Sequence, residues 1–195
     1  MKYIFLFTLA FAQLAQAQFI TSVPYSMSTP AGNVQLTQQV YMPTHYSNRN
    51  SNPKFDFEVT LKNDSVVKFR SRILSENKKL YIEWKEKKNV RQIFPSETKK
   101  IVTETESGIK VGMPANSCWL FFIIDGAINC YSSIPLSDYY NTIAIQKGGA
   151  GPIIPLTQES LRAMINVEDK KVQKLIKQGW LADAIRRYNE KKKRS

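Results

Sequence analysis

Phe55-Asp56-Phe57-Glu58-Val59-Thr60-Leu61 alternates without a break between apolar and polar side chains, the period of a strand with one face in a core and the other in water. Successive side chains of a strand point to opposite faces, so Phe55, Phe57, Val59 and Leu61 share one surface and Asp56, Glu58 and Thr60 the other. The next stretch repeats the pattern, with Val67, Phe69 and Ile73 inward and Lys68, Arg70 and Arg72 outward. Between the two, Asn63-Asp64-Ser65 reads as a three-residue loop that sets Leu61 opposite Val67 and brings the apolar faces together as a hairpin.

Working toward the C-terminus, Leu80, Ile82 and Trp84 alternate with Tyr81 and Glu83, and Val90 to Phe94, Ile101 to Thr105 and Ile109 to Met113 are further strand candidates. Short strands at close spacing with polar turns between them predict an antiparallel β-meander or small-barrel-like sheet. Cys118 to Ile124 is apolar at nearly every position, so it lacks a wet face and should be covered on both sides. Asp125-Gly126 reads as a two-residue hairpin turn into Ala127 to Tyr131, and Thr142 to Gln146 adds a strand. The cover is expected from the C-terminal third. Thr157 can cap a helix carrying Leu161, Met164 and Ile165, and Asn166 with Asp169 resembles a capping box before Val172, Leu175 and Ile176. Gly179 suits a helix end, and Leu181, Ala184, Ile185 and Tyr188 form a third apolar stripe. The expected class is α+β, an antiparallel sheet followed by two or three C-terminal helices.

Working toward the N-terminus, Lys2 precedes an uncharged apolar stretch, Tyr3 to Ala12, and Ala15-Gln16-Ala17 offers small residues where a signal peptidase reads. The stretch is shorter than the roughly 20 apolar residues that span a bilayer, so a signal peptide at 1–17, cut after Ala17, is expected. No cysteine near the cut invites a lipid anchor. Residues 18–53, rich in Ser, Thr, Asn, Gln and Pro, read as a polar extended arm with one strand near Val34 to Met42; Tyr25, Tyr41 and Tyr46 would dock on the domain or on a partner. An antiparallel β domain should occupy 54–147 and a helical region packed on the sheet, with a basic tail, 148–195. Export would place the chain in the periplasm or outside the cell.

The formal net charge is +12 over 195 residues, which bears on partners and solubility and not on fold. Glu168 to Ser195 holds ten Lys or Arg against four acids, and Lys62 to Lys100 twelve against five. Such runs read as solvated element faces or as an anion-binding surface. Lys191, Lys192, Lys193 and Arg194 are the candidate anion contacts, the partner being an anionic envelope surface, a glycan or another envelope protein. Nucleic acid is disfavoured, since neither stacking aromatics nor a known module is evident. Cys118 and Cys130 are the only cysteines, and export permits a disulfide. With Asp125-Gly126 as the turn, Cys118 would face Ser133 and Cys130 would face Phe121, on opposite sides of the strand. The pair is therefore a candidate disulfide that needs a bulge, or else two buried free thiols.

Catalytic signals are thin. His45, the single histidine, stands in the polar arm with no nucleophile motif and no rigid support. A glycan hydrolase needs two carboxylates across a cleft; Asp56, Glu58, Glu83 and Asp125 are available, but nothing in the spacing selects a pair. Gly148-Gly149-Ala150-Gly151 lacks the Lys-Ser or Lys-Thr of a phosphate-binding loop and reads as a linker. Asn63-Asp64-Ser65 has the form of a glycosylation sequon, relevant only in a eukaryotic secretory path. No catalytic residue, cofactor or metal site is assigned. An exported interaction protein is the leading expectation and a small cell-wall or glycan hydrolase the alternative.

The signal ending Ala15-Gln16-Ala17-Gln18, the strand Phe55 to Leu61 before Asn63-Asp64-Ser65, the Ser117-Cys118-Trp119-Leu120-Phe121 block, Ala144-Ile145-Gln146-Lys147-Gly148 and the closing Arg187-Tyr188-Asn189 together give a layout that resembles exported, uncharacterised proteins common in Bacteroidota. The resemblance implies a Gram-negative envelope setting and carries no activity, cofactor or catalytic residue.

Overall fold

The structure, a computed structural model, describes residues 22–29, 32–39, 53–77, 79–86, 89–149, 151–165 and 169–194. The signal segment, Tyr41, His45, Tyr46 and Asn166 lie outside these residues. In the arm, β1 (Ser22–Thr29) and β2 (Gly32–Gln39) pair antiparallel, Ser22 with Gln39 through Thr29 with Gly32. Two strands thus stand where one was expected. A ladder is built by main-chain groups, so a segment poor in Leu and Ile can still satisfy its N–H and C=O groups this way.

The body is α+β. β3 (Phe55–Leu61), β4 (Val66–Ser71), β8 (Thr98–Thr105), β9 (Gly108–Pro114), β10 (Trp119–Ile124), β11 (Ile128–Ser132), β12 (Thr142–Lys147) and β13 (Ile154–Pro155) form one antiparallel sheet in the order β13-β12-β11-β10-β9-β8-β3-β4. From β8 to β13 each strand pairs with its neighbour in sequence, a meander. β5 (Ile73–Glu76), β6 (Lys79–Glu86) and β7 (Asn89–Ile93) form a second, three-stranded sheet inserted between β4 and β8. The chain crosses between the sheets at Arg72, where the Ser71 hydroxyl accepts from the Glu83 N–H at 3.2 Å.

The first hairpin buries the face its alternation predicts: Phe55, Phe57, Val59 and Leu61 are all core residues. Its register differs from expectation. Val59 faces Val67 and Phe57 faces Phe69, because the loop is Lys62-Asn63-Asp64. The Leu61 N–H donates to the Ser65 carbonyl at 2.9 Å, and Asp64 adopts φ +67°, the left-handed conformation that closes a three-residue loop and that Asp tolerates better than most side chains. The slip is two residues on the partner strand, so every side chain keeps its face.

The second correction is at Asp125-Gly126. β10 and β11 are joined through Asp125, Gly126 and Ala127, and Ile123 forms a bulge: Phe122 faces Tyr131, but Ile124 faces Cys130. The Asn189 side chain occupies the space beside Gly126 and binds the backbone of Ile128, just past this turn. The new register also settles the sulfur geometry. Cys118 lies six residues before Ile124, roughly 20 Å along the strand, whereas a disulfide needs Cα atoms within about 7 Å. Cys118 and Cys130 are accordingly two buried free thiols and not a bridge.

Candidate functional site

The helical layer begins where Thr157 caps α1 (Gln158–Met164). The Ser160 N–H donates to Thr157 Oγ1 at 3.0 Å, and the Thr157 N–H donates to Ser160 Oγ at 2.9 Å. α1 buries Leu161 and Met164, with Ile165 just beyond. α2 (Lys170–Lys177) starts later than the expected Asn166 and Asp169 box would place it. Asp169 is itself the cap, its Oδ1 accepting from the Lys171 N–H at 2.9 Å and the Val172 N–H at 3.3 Å. α2 ends as expected at Gly179, φ +81°: the Gly179 N–H donates to the Ile176 carbonyl at 3.0 Å and the Trp180 N–H to the Leu175 carbonyl at 2.9 Å, the paired bonds of a left-handed helix stop.

α3 (Leu181–Lys193) then runs back along α2. Asp169, at the start of α2, lies 3.9 Å from Arg187 Nε and 3.5 Å from Lys191 Nζ in the second half of α3, so the two helices form an antiparallel hairpin with Gly179-Trp180 at its bend. Asn189 anchors that hairpin to the sheet. Its side chain is 1% exposed; Oδ1 accepts from the Ile128 N–H and Nδ2 donates to the Ile128 carbonyl, both at 2.9 Å. A helix side chain therefore pairs with a strand residue as another strand would.

The outward side of the hairpin is basic. α2 holds four lysines and no acid. Lys170, Lys174 and Lys177, spaced i, i+4, i+7, lie on the stripe opposite buried Val172 and Ile176. α3 adds Arg186, Arg187 and the expected anion contacts Lys191, Lys192, Lys193 and Arg194, all exposed. These last four are not a free tail: the lysines form the final turn of α3, where cations suit the negative end of the helix dipole. Two of the nearby acids, Asp169 and Asp183, are engaged inside the layer, while Glu190 is exposed on α3. Asp169 caps α2, and Asp183 accepts from Arg186 and from Tyr140 Oη. Burial works against the Asp169 carboxylate, but the Val172 and Lys171 N–H groups and Lys191 outweigh it and hold its pKa below the usual value.

Two exposed aromatics stand at the bend of the hairpin. Trp180 is 59% exposed and Tyr140 66%, and the Tyr140 hydroxyl donates to Asp183 Oδ1 at 3.0 Å in the first turn of α3. Lys177 and Arg186 flank Trp180 in sequence. The sequence signal for this corner is Trp180 directly after the helix-ending Gly179, between the two helices.

The remaining candidates resolve less favourably for chemistry. Burial pushes both thiols up to about 12, which leaves them protonated and inert at neutral pH. The glycine loop is a pinned linker: Gln146 Nε2 donates to the Gly151 carbonyl at 2.6 Å and Asn129 Nδ2 to the Gly148 carbonyl at 3.0 Å, while the Gly148 N–H donates to Ala127. Its carbonyls turn inward, whereas a phosphate cradle needs free amides. Of the four carboxylates weighed, Asp56 and Glu58 share an open depression of about 510 Å³ on the outer face of β3, β4, β8 and β9, with Glu104, Lys68 and Arg70. Glu83 and Asp125 lie elsewhere. Glu58 meets Lys68 at 2.8 Å, and that contact holds its pKa below the usual value. Among the described residues no cluster of three or more metal-ligating side chains occurs, and no helix is long and apolar enough to cross a membrane. No protein-family model, curated protein or solved structure matches this chain.

Proposed function

We propose that this is an exported, non-enzymatic interaction protein that meets an anionic surface through the outward side of its α2–α3 hairpin. The observation that carries this reading is the acid-free lysine stripe of α2. Lys170, Lys174 and Lys177 are exposed, and no ion pair engages them among the described residues. Cations that neutralise nothing within the protein are free to neutralise a partner, and each one near an anionic surface adds to the attraction. The leader at 1–17 supports export. Retention of the mature chain on an anionic matrix should fall steadily with salt, because Debye screening shortens the reach of exposed charges. Changing Lys170, Lys174 and Lys177 together to Gln should move elution to lower salt, and the exported form should begin at Gln18 by mass. Retention indifferent to salt would sink the reading.

The depression holding Asp56, Glu58 and Glu104 favours a second reading, a small glycan hydrolase. Lys68 keeps Glu58 ionised, which suits a nucleophile or base. The proton donor would have to be Asp56 or Glu104, both exposed, without the burial that usually readies a carboxyl for that task. Release of reducing ends from cell-wall glycan, abolished by Glu58→Gln, would establish this reading over the first.

A further inference from the structure

The aromatic corner of the hairpin says which anionic partner its lysines meet. We infer that the bend of the α2–α3 hairpin docks on an anionic lipid bilayer, with Trp180 and Tyr140 lodged at headgroup depth and Lys174 and Lys177 on the phosphates. The inference rests on the anionic-surface reading above and narrows it to one partner.

Three observations converge. Trp180 and Tyr140 are two of the most exposed large side chains among the described residues, and both sit at one end of the hairpin, because Tyr140 is tied to Asp183, three residues beyond Trp180. Indole and phenol rings pair an apolar body with a polar edge and favour the boundary between hydrocarbon and water. The cations beside them have long apolar stems that lie along such a boundary while their heads reach phosphate. Finally, the bend is a turn between two helices, and both aromatics stand exposed on it. A glycan or nucleic-acid strand is usually gripped in a groove between facing walls, whereas a flat bilayer takes a protruding tip. The contact is peripheral: α2 and α3 turn their apolar residues to the protein core, and no described helix can span.

The test uses the mature chain with phosphatidylcholine vesicles, the same vesicles containing phosphatidylglycerol, and a heparin column. Expected are sedimentation with the anionic vesicles only, loss of that binding at high salt, and several-fold weaker vesicle affinity for Trp180→Ala, with Trp180→Phe between the two. Elution of Trp180→Ala from heparin should match the parent. Far-UV circular dichroism controls for folding, which a 59% exposed side chain should not disturb. Vesicle affinity unchanged by Trp180→Ala would overturn the inference, as would equal losses on vesicles and on heparin. Binding to heparin without binding to vesicles overturns the lipid assignment and leaves the anionic-surface reading standing. Binding to neither removes both.

Discussion

Asn189 and Gly126 act as one contact. The Asn189 amide satisfies both backbone groups of Ile128, which lies beyond the last pair of β10 with β11, Ile124 with Cys130, and a Cβ on Gly126 would stand 2.5 Å from Asn189 Nδ2. Asn189→Ala leaves a buried N–H and C=O unpaired, so a loss of about 2–4 kcal/mol in urea unfolding is expected. Gly126→Ala should cost about 1–3 kcal/mol by overpacking, since the amide it strikes is fixed at both ends. The double variant should lose less than the sum, because shrinking Asn189 makes room for the new methyl; strict additivity would show that the two do not share a site. Burial of the sulfurs has its own consequence. Cys118 and Cys130 rise from 9.0 to about 12 and Tyr131 from 10.0 to about 12, burial being the largest cause in each case. Below pH 9 folded and unfolded chains hold these protons equally. Between about pH 9 and 12 the unfolded chain releases protons that the folded chain keeps, so stability should fall as pH rises through that window. Replacing both cysteines with Ala should flatten part of the slope in alkaline melts and leave the part due to Tyr131. A slope unchanged by the substitutions would refute the assignment.

At the scale of elements, α2 depends on its two ends. Gly179→Ala forces an L side chain to φ +81° and should cost about 1 kcal/mol, while Asp169→Ala removes the cap and the tie to α3 together. Both should lower the thermal midpoint, and only Asp169→Ala should also weaken the acid sensitivity of the helical signal, because a carboxylate with a lowered pKa contributes above the acid range and is lost as pH falls. Which elements form was legible in the sequence, because alternation in β3, β4 and β6 records one buried face; the apolar run of β10 is buried at Trp119, Leu120, Phe121 and Ile123, but Phe122 is 37% exposed, so the expected cover on both sides is incomplete. How they join was less legible. Asp64 takes the left-handed position of the first loop by local preference, one residue earlier than the reading of Asn63-Asp64-Ser65 placed the loop. The β10–β11 turn is held by Asn189, more than sixty positions away, and no local pattern reports that. The basic face was visible as composition. The aromatic corner was not, because only the antiparallel return of α3 places Trp180 at a bend and Tyr140 beside it.

For the whole molecule, the question is whether the helical hairpin is an appendage or part of one folding unit. Leu161, Val172, Ile176, Ala184 and Ile185 belong to the same contiguous core as Trp119, Ile128 and Ile145. The linker between sheet and helices is held by Gln146 and Asn129, and Tyr131 Oη donates to Gln146 Oε1 at 2.6 Å in the same network. A core shared in this way cannot lose one contributor without exposing the others, which is the condition for a single cooperative transition. Removing α1, α2 and α3 by ending the chain at Leu156 should therefore give a soluble-expression failure or a loosely packed state that binds hydrophobic dye, although every sheet strand would still be present. In the full chain, fluorescence of buried Trp119, isolated by changing Trp84 and Trp180 to Phe, should report the sheet, and far-UV circular dichroism the helices. The two curves should superimpose across the urea transition. Loss of the helical signal at lower urea than the Trp119 signal would mean that the hairpin melts separately, with Asn189 too weak to couple it to β11.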